Sequence, residues 1–191
     1  KLASGEIKGF GELVLNNRRS NPNASFRRKI RIDAEPIRKI MAIANKYKAF
    51  VIIHSEADDD SVNQIKALAG EHPDASLILA HCLFTQRVDL IDTLLKEFPN
   101  IFCELSARNE GMYRDGYVRK YAEREGFIVF TRRHLDIPWK KLIEAHPTRF
   151  MVGTDTYNSS VSGKQMISEI RTGLLRNLDP SVIPLVAFEN A

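Results

Sequence analysis

A parallel α/β fold of the TIM-type (β/α)8 barrel class is predicted by three observations in the sequence. First, short continuous apolar runs alternate with segments patterned as amphipathic helices between Phe50 and Ser106. Continuous runs mark strands covered on both faces, and strand–helix alternation marks parallel strands joined by right-handed crossovers. Second, two successive runs, Phe50-Val-Ile-Ile-His54 and Leu77-Ile-Leu-Ala-His81, each end on a histidine. Third, a later run, Phe150-Met-Val-Gly-Thr-Asp155, ends on an aspartate. Such barrels build their sites at the carboxyl ends of several different strands.

The elements follow in order. Ile7–Leu15 reads as a strand carrying Gly9 and Gly11, and glycine in a strand marks close approach of backbone or ligand. Residues 16–32 are polar and basic, with Asn21-Pro22-Asn23 as a turn. Asp33 is expected to cap a helix with Pro36 in its first turn, striped by Ile37, Ile40, Met41, Ala44 and Tyr47. After the strand Phe50–His54, Asp58, Asp59 and Asp60 suit a helix N-terminus, and Val62, Ile65, Leu68 and Ala69 give that helix its apolar stripe. Leu77–Ala80 is the next strand, and Val88, Ile91, Leu94, Leu95 and Phe98 stripe the next helix, stopped by Pro99. Ile101–Ser106 and Arg149–Gly153 are the remaining strands, and 162–177 and 181–189 read as closing helices.

Residues 107–145 are less regular, with helices expected over 117–125 and 139–145, and read as an elaborated connection of the kind that holds specificity loops. A closed barrel has eight strands and roughly 250 residues. The expectation is therefore one domain over 1–191 that carries the last five βα units of a barrel, with the N-terminal units missing.

Composition bounds the class. With 191 residues, 43% hydrophobic and 27% charged, the chain is long enough to bury a sizeable core. No apolar stretch approaches the ~18 residues that cross a bilayer. Cys82 and Cys103 lie in or beside apolar runs and read as packed thiols, which with the absence of a targeting pattern makes the cytoplasm the expected compartment. The net charge of +4 is partly local, since Arg18, Arg19, Arg27, Arg28, Lys29 and Arg31 crowd one stretch. A small-molecule substrate, with an anionic one allowed, is the expected partner; nucleic acid ranks behind it, a membrane is not expected, and a homo-oligomer is left open.

His54 and His81 occupy equivalent positions one βα unit apart, which lets two imidazoles converge on a divalent ion. Asp155 can ligate such an ion or take a proton from water. Glu12 can bridge metals or hold a substrate group, with Lys8 as its rival on the same strand. Glu56 stands close enough behind His54 to support it. Arg108 is a candidate clamp for a substrate carboxylate, and His134 a candidate to reach the site from the insertion. His72 and His146, each before a proline, read as surface residues.

The ordered set Gly9-Phe-Gly-Glu12, Ile52-Ile-His54, Leu79-Ala-His81, Glu104-Leu-Ser106 and Val152-Gly-Thr-Asp155 resembles the amidohydrolase superfamily. Within it the set is similar to the amidohydrolase-2 branch, which includes aminocarboxymuconate-semialdehyde decarboxylase-like enzymes. The resemblance implies that His54 and Asp155 bind metal, that His81 binds a second metal or orients the attacking water, and that Glu12 matches a bridging position. The His-x-His pair of that family's first strand does not occur in this sequence. The implied function is hydrolysis of an amide, ester or lactone bond by metal-activated water, with zinc or manganese as cofactor. Non-oxidative decarboxylation, a TatD-like nuclease and a catalytically silent barrel are the alternatives.

Overall fold

The computed structural model describes residues 1–21, 23–113, 116–155 and 162–191, so Pro22 of the expected turn lies outside the described residues. The five strands of the sheet follow chain order, as expected of a barrel. Two compact units divide the chain: residues 1–83 with 90–102, and residues 84–89 with 103–191.

The first unit contains β1 (Gly9–Val14), α1 (Glu35–Tyr47), β2 (Phe50–His54), α2 (Asp59–Glu71), β3 (Ser76–Leu79), most of α3 (Val88–Glu97) and the start of β4 (Ile101–Glu104). β1 pairs parallel with β2, and β2 with β3. Val51, Ile53, Leu77 and Leu79 are fully buried, and so are Met41, Ile65, Leu68, Ile91 and Leu94 from the helices. Each fully buried side chain of this size contributes roughly 1.5–3 kcal/mol. The α2 stripe is buried as expected, whereas Tyr47 at the end of the α1 stripe is 42% exposed. Asp58 caps α2 by accepting from the Ser61 backbone N–H. The α1 cap differs from expectation: Ala34 occupies that position, because Asp33 accepts two bonds from the Arg31 guanidinium at 2.9 and 2.8 Å. Asn100 Nδ2 donates to the carbonyls of Ala69, His72 and Ala75, which fixes the C-terminal end of α2 against the chain entering β4.

The first two strands do not pair evenly. Phe10 faces Val51 and Leu13 faces Ile53, so Gly11 and Glu12 together oppose Ile52 alone. This is a bulge, a device that re-aims a side chain. Glycine is required here: a Cβ at Gly11, whose φ is +138°, would lie 2.7 Å from Ile52 Cβ and 2.8 Å from the Ile52 carbonyl oxygen. The glycines of β1 therefore mark close approach of neighbouring backbone.

The second unit contains the end of β4, α4 (Gly116–Glu125), α5 (Ile137–Ala145), β5 (Phe150–Met151) and α6 (Gly163–Glu169). α6 runs on as a wide π turn over Ile170–Leu174 and a tight turn over Leu175–Asn177, and a π turn spans Leu185–Glu189. β4 pairs parallel with β5 through Cys103–Phe150 and Glu104–Met151. Ala107, Ala122 and Phe127 of the expected 107–145 insertion form a small apolar cluster with Phe84. Trp139 is fully buried and its Nε1–H donates to Gln86 Oε1 at 3.0 Å.

The cysteines depart from expectation. Cys82 and Cys103 are both disulfide-bonded and both fully buried, so no free thiol remains. The packed-thiol reading, and the reducing compartment inferred from it, lose their support, because structural disulfides belong to oxidising environments. Among the described residues no helix is long and apolar enough to cross a membrane.

Candidate metal centre

Glu12, His54 and His81 converge in the first unit, each offering a ligand atom within 4.8 Å of the others. Three separate backbone features deliver them. The β1 bulge presents Glu12, the last residue of β2 presents His54, and a left-handed turn directly after β3 presents His81. In that turn His81, Cys82 and Leu83 have φ of 54°, 47° and 60°. Left-handed backbone costs about 1–2 kcal/mol per non-glycine residue and persists only where its surroundings over-determine it. Here Cys82 and Leu83 are fully buried and His81 is 2% exposed, which holds the turn in place.

The electrostatics are those of a compact donor set. His54 Nδ1 lies 2.8 Å from Glu12 Oε1, and His81 Nε2 lies 3.6 Å from the same oxygen. The hydrogen bond from His54, then that from His81, holds the Glu12 carboxyl down from 4.5 to about 2. Glu12 is therefore ionised and can only accept, which makes His54 Nδ1 the donor. His54 Nε2 lies 3.0 Å from the Ser20 hydroxyl. The two imidazole rings meet edge to face, 4.9 Å between centroids.

Behind His54, the buried carboxylate of Glu56 accepts from the backbone N–H groups of Arg19 at 2.6 Å and Ser20 at 2.5 Å. Glu56 thereby fixes Ser20, and Ser20 orients the ring. The support expected of Glu56 runs through a residue that the sequence did not single out, since one serine in a basic loop carries no signal of its own. The loop is tied down at its base as well. Asn16 bridges to Lys29, the Asn17 N–H donates to the Arg28 carbonyl, and the Arg28 N–H donates to Asn17 Oδ1. Lys29 Nζ and Asn16 Nδ2 both bond Asp58, the cap of α2, at 2.9 and 2.6 Å.

The other candidates are not among these donors. Asp155 belongs to the second unit, where it follows β5 with φ of 45° in the left-handed region that aspartate tolerates. Arg108 is fully buried in the second unit; its Nη2 donates to the Thr85 carbonyl at 2.6 Å and its guanidinium carbon lies 4.9 Å from the Trp139 ring centroid. Burial pushes Arg108 down to about 9. The guanidinium thus packs against the Thr85 backbone and the Trp139 ring. Lys8 precedes β1, at the opposite end from the cluster that Glu12 joins. His134 is exposed, and His72 and His146 are part-buried residues that end α2 and α5. Among the described residues, the Glu12–His54–His81 group has the donors to hold a divalent cation.

No protein-family model matches the chain, and no curated protein matches it. Solved structures do. An uncharacterised TIM-barrel protein from Bordetella bronchiseptica superposes with a TM-score of 0.56 at 13% identity, over 84% of this chain and 50% of that one. An amidohydrolase from Burkholderia multivorans with bound HEPES gives 0.57 at 14% identity, over 99% of this chain and 66% of that one. The same amidohydrolase with bound zinc gives 0.52 at 12% identity, over 98% and 66%. The chain thus spans half to about two thirds of the length of these structures. Likeness at this identity establishes the fold: a parallel α/β sheet of the TIM-barrel class, as the sequence predicted.

Proposed function

We propose that the chain carries the metal centre of a hydrolase of the amidohydrolase kind, acting on an amide, ester or lactone bond. The observation that carries the reading is the convergence of Glu12, His54 and His81. Three unrelated backbone devices, one of them strained, serve a single point, and strain of that kind clusters at functional sites. The amidohydrolase with bound zinc among the fold neighbours adds support.

Two imidazoles and a carboxylate make the three-ligand set typical of catalytic zinc, and this donor mixture suits zinc before manganese. Bound there, the ion would supply Lewis acidity and bring the pKa of water toward neutrality. The chain's own residues do the rest. Glu12 stays ionised, His54 is held in one orientation by Glu12 and Ser20, and His81 is fixed by its turn and shielded from bulk water. In this reading Asp155 accepts the proton of the attacking water. Non-oxidative decarboxylation is the second reading, favoured by the arginine-lined cavity next to His54, and release of carbon dioxide in place of an acid product distinguishes it.

The test is metal analysis and hydrolysis assays on the full chain. Zinc should co-purify or bind in a one-to-one ratio. The His54→Ala/Asp155→Ala double variant should lose hydrolysis by at least about a hundredfold, the size of effect that follows loss of a metal site or its proton acceptor. Activity that survives the double substitution removes the reading.

A further inference from the structure

We infer that the loop from Asn16 to Lys29 builds an oxyanion pocket that anchors a carboxylate or phosphate group of the substrate, so that the substrates of this centre are small anions. The inference rests on the hydrolase reading above. An open cavity of about 780 Å3 lies along this loop, with Arg18, Arg19, Arg27, Arg28 and Lys29 among its lining residues. That volume falls in the range of about 300–1,000 Å3 that holds a metabolite-sized ligand.

Neither carboxylate in the lining is paired with Arg18 or Arg28. Glu56 is engaged by the backbone N–H groups of Arg19 and Ser20, and Asp58 by Lys29, Asn16 and the Ser61 N–H. Arg18 and Arg28 form no ion pair with a carboxylate among the described residues. Both are surface guanidiniums, whose planar forks match the oxygens of carboxylate or phosphate. The pocket is also pre-built. The Asn16–Lys29 bridge and the Asn17–Arg28 bonds close the loop at its base, and Arg27 Nε donates to the Asn21 carbonyl at 2.8 Å. Ordering done in advance leaves less to be lost on binding.

The pocket adjoins the chemistry through one residue. Ser20 bonds Glu56, which lines the cavity, through its N–H, and His54 through its hydroxyl at 3.0 Å. Through this link, the proposed pocket would hold the substrate's anionic end and leave its other end for His54. Specificity here is for charge at one end, with the scissile bond at the other.

The experiment uses the zinc-loaded full chain and two variants, Arg18→Ala/Arg28→Ala and the charge-matched surface control Lys39→Ala/Lys46→Ala. Calorimetry measures binding of inorganic phosphate and of succinate. Kinetics compares 4-nitrophenyl hemisuccinate with neutral 4-nitrophenyl acetate. Wild type and control should bind at least one anion, and the arginine variant should bind it about tenfold more weakly, the scale of losing one charge-assisted contact. Its KM for the hemisuccinate should rise about tenfold relative to its KM for the acetate. Preference for phosphate or for succinate identifies the anchored group. Absence of anion binding, or equal binding by the arginine variant and the control, overturns the pocket. A steeply salt-dependent affinity for duplex DNA that is lost in the arginine variant also overturns it, by making the arginines a nucleic-acid surface. Anion binding without hydrolysis of either ester leaves the pocket standing and removes the hydrolase reading. Hydrolysis without charge discrimination does the reverse.

Discussion

Glu12 is the residue whose state decides what the cluster can hold. Its carboxyl is depressed to about 2, so it contributes fully above pH 4.5, and that contribution is lost as the pH falls toward 2. The measurement is denaturant unfolding of the metal-free chain against Glu12→Gln across that window. The side chain is 32% exposed, so the difference in the plateau should be modest, at most about 1 kcal/mol, and should vanish near pH 2. Metal binding gives a larger signal. Glu12→Gln should weaken zinc binding at least about tenfold by calorimetry, and unchanged affinity would place the ion elsewhere. For His81 the informative variant is His81→Asn. Asparagine accepts left-handed backbone, so the fold should persist within about 1 kcal/mol while zinc affinity falls at least about tenfold. His81→Ala mixes lost ligation with backbone strain and should unfold more readily.

At the level of elements, the β1 bulge positions the carboxylate. Gly11→Ala places a methyl 2.7 Å from Ile52 Cβ on backbone at φ +138°. It should destabilise the chain by about 1–3 kcal/mol in urea unfolding and weaken zinc binding by moving its neighbour Glu12. Wild-type behaviour on both counts would mean that β1 relaxes independently of the site. The same element shows where the sequence was legible. The run Phe50–His54 is the observed β2 to the residue, because four apolar positions followed by an imidazole leave little choice. Glu12, His54 and His81 were readable as strand-end ionisable residues, and they do meet. What the sequence hid is what depends on non-local partners. The bulge exists only against Ile52, and Ser20 matters only because folding brings it to His54. Asp33 gave up its capping role to a guanidinium two residues away, a competition that pattern alone does not resolve. The left-handed turn at His81 lacks the glycine that would have announced it.

For the molecule as a whole, the donor cluster and the arginine cavity both belong to the first unit. Zinc binding should stabilise the chain as any native-state ligand does, by about 2.7 kcal/mol at a hundredfold excess over Kd. Thermal melts with and without zinc should show an upward shift that disappears in His54→Ala, and an equal shift in the variant would move the ion's site away from β2. His54, Glu56 and Asp58 alternate over five consecutive residues, and each faces a different client: the donor cluster, the arginine loop and the first turn of α2. Drift at any one of them is thus felt by the other two. Random libraries over residues 16–29 should show strong epistasis with position 54, so that altered substrate choice and altered metal affinity are inherited together rather than selected one at a time.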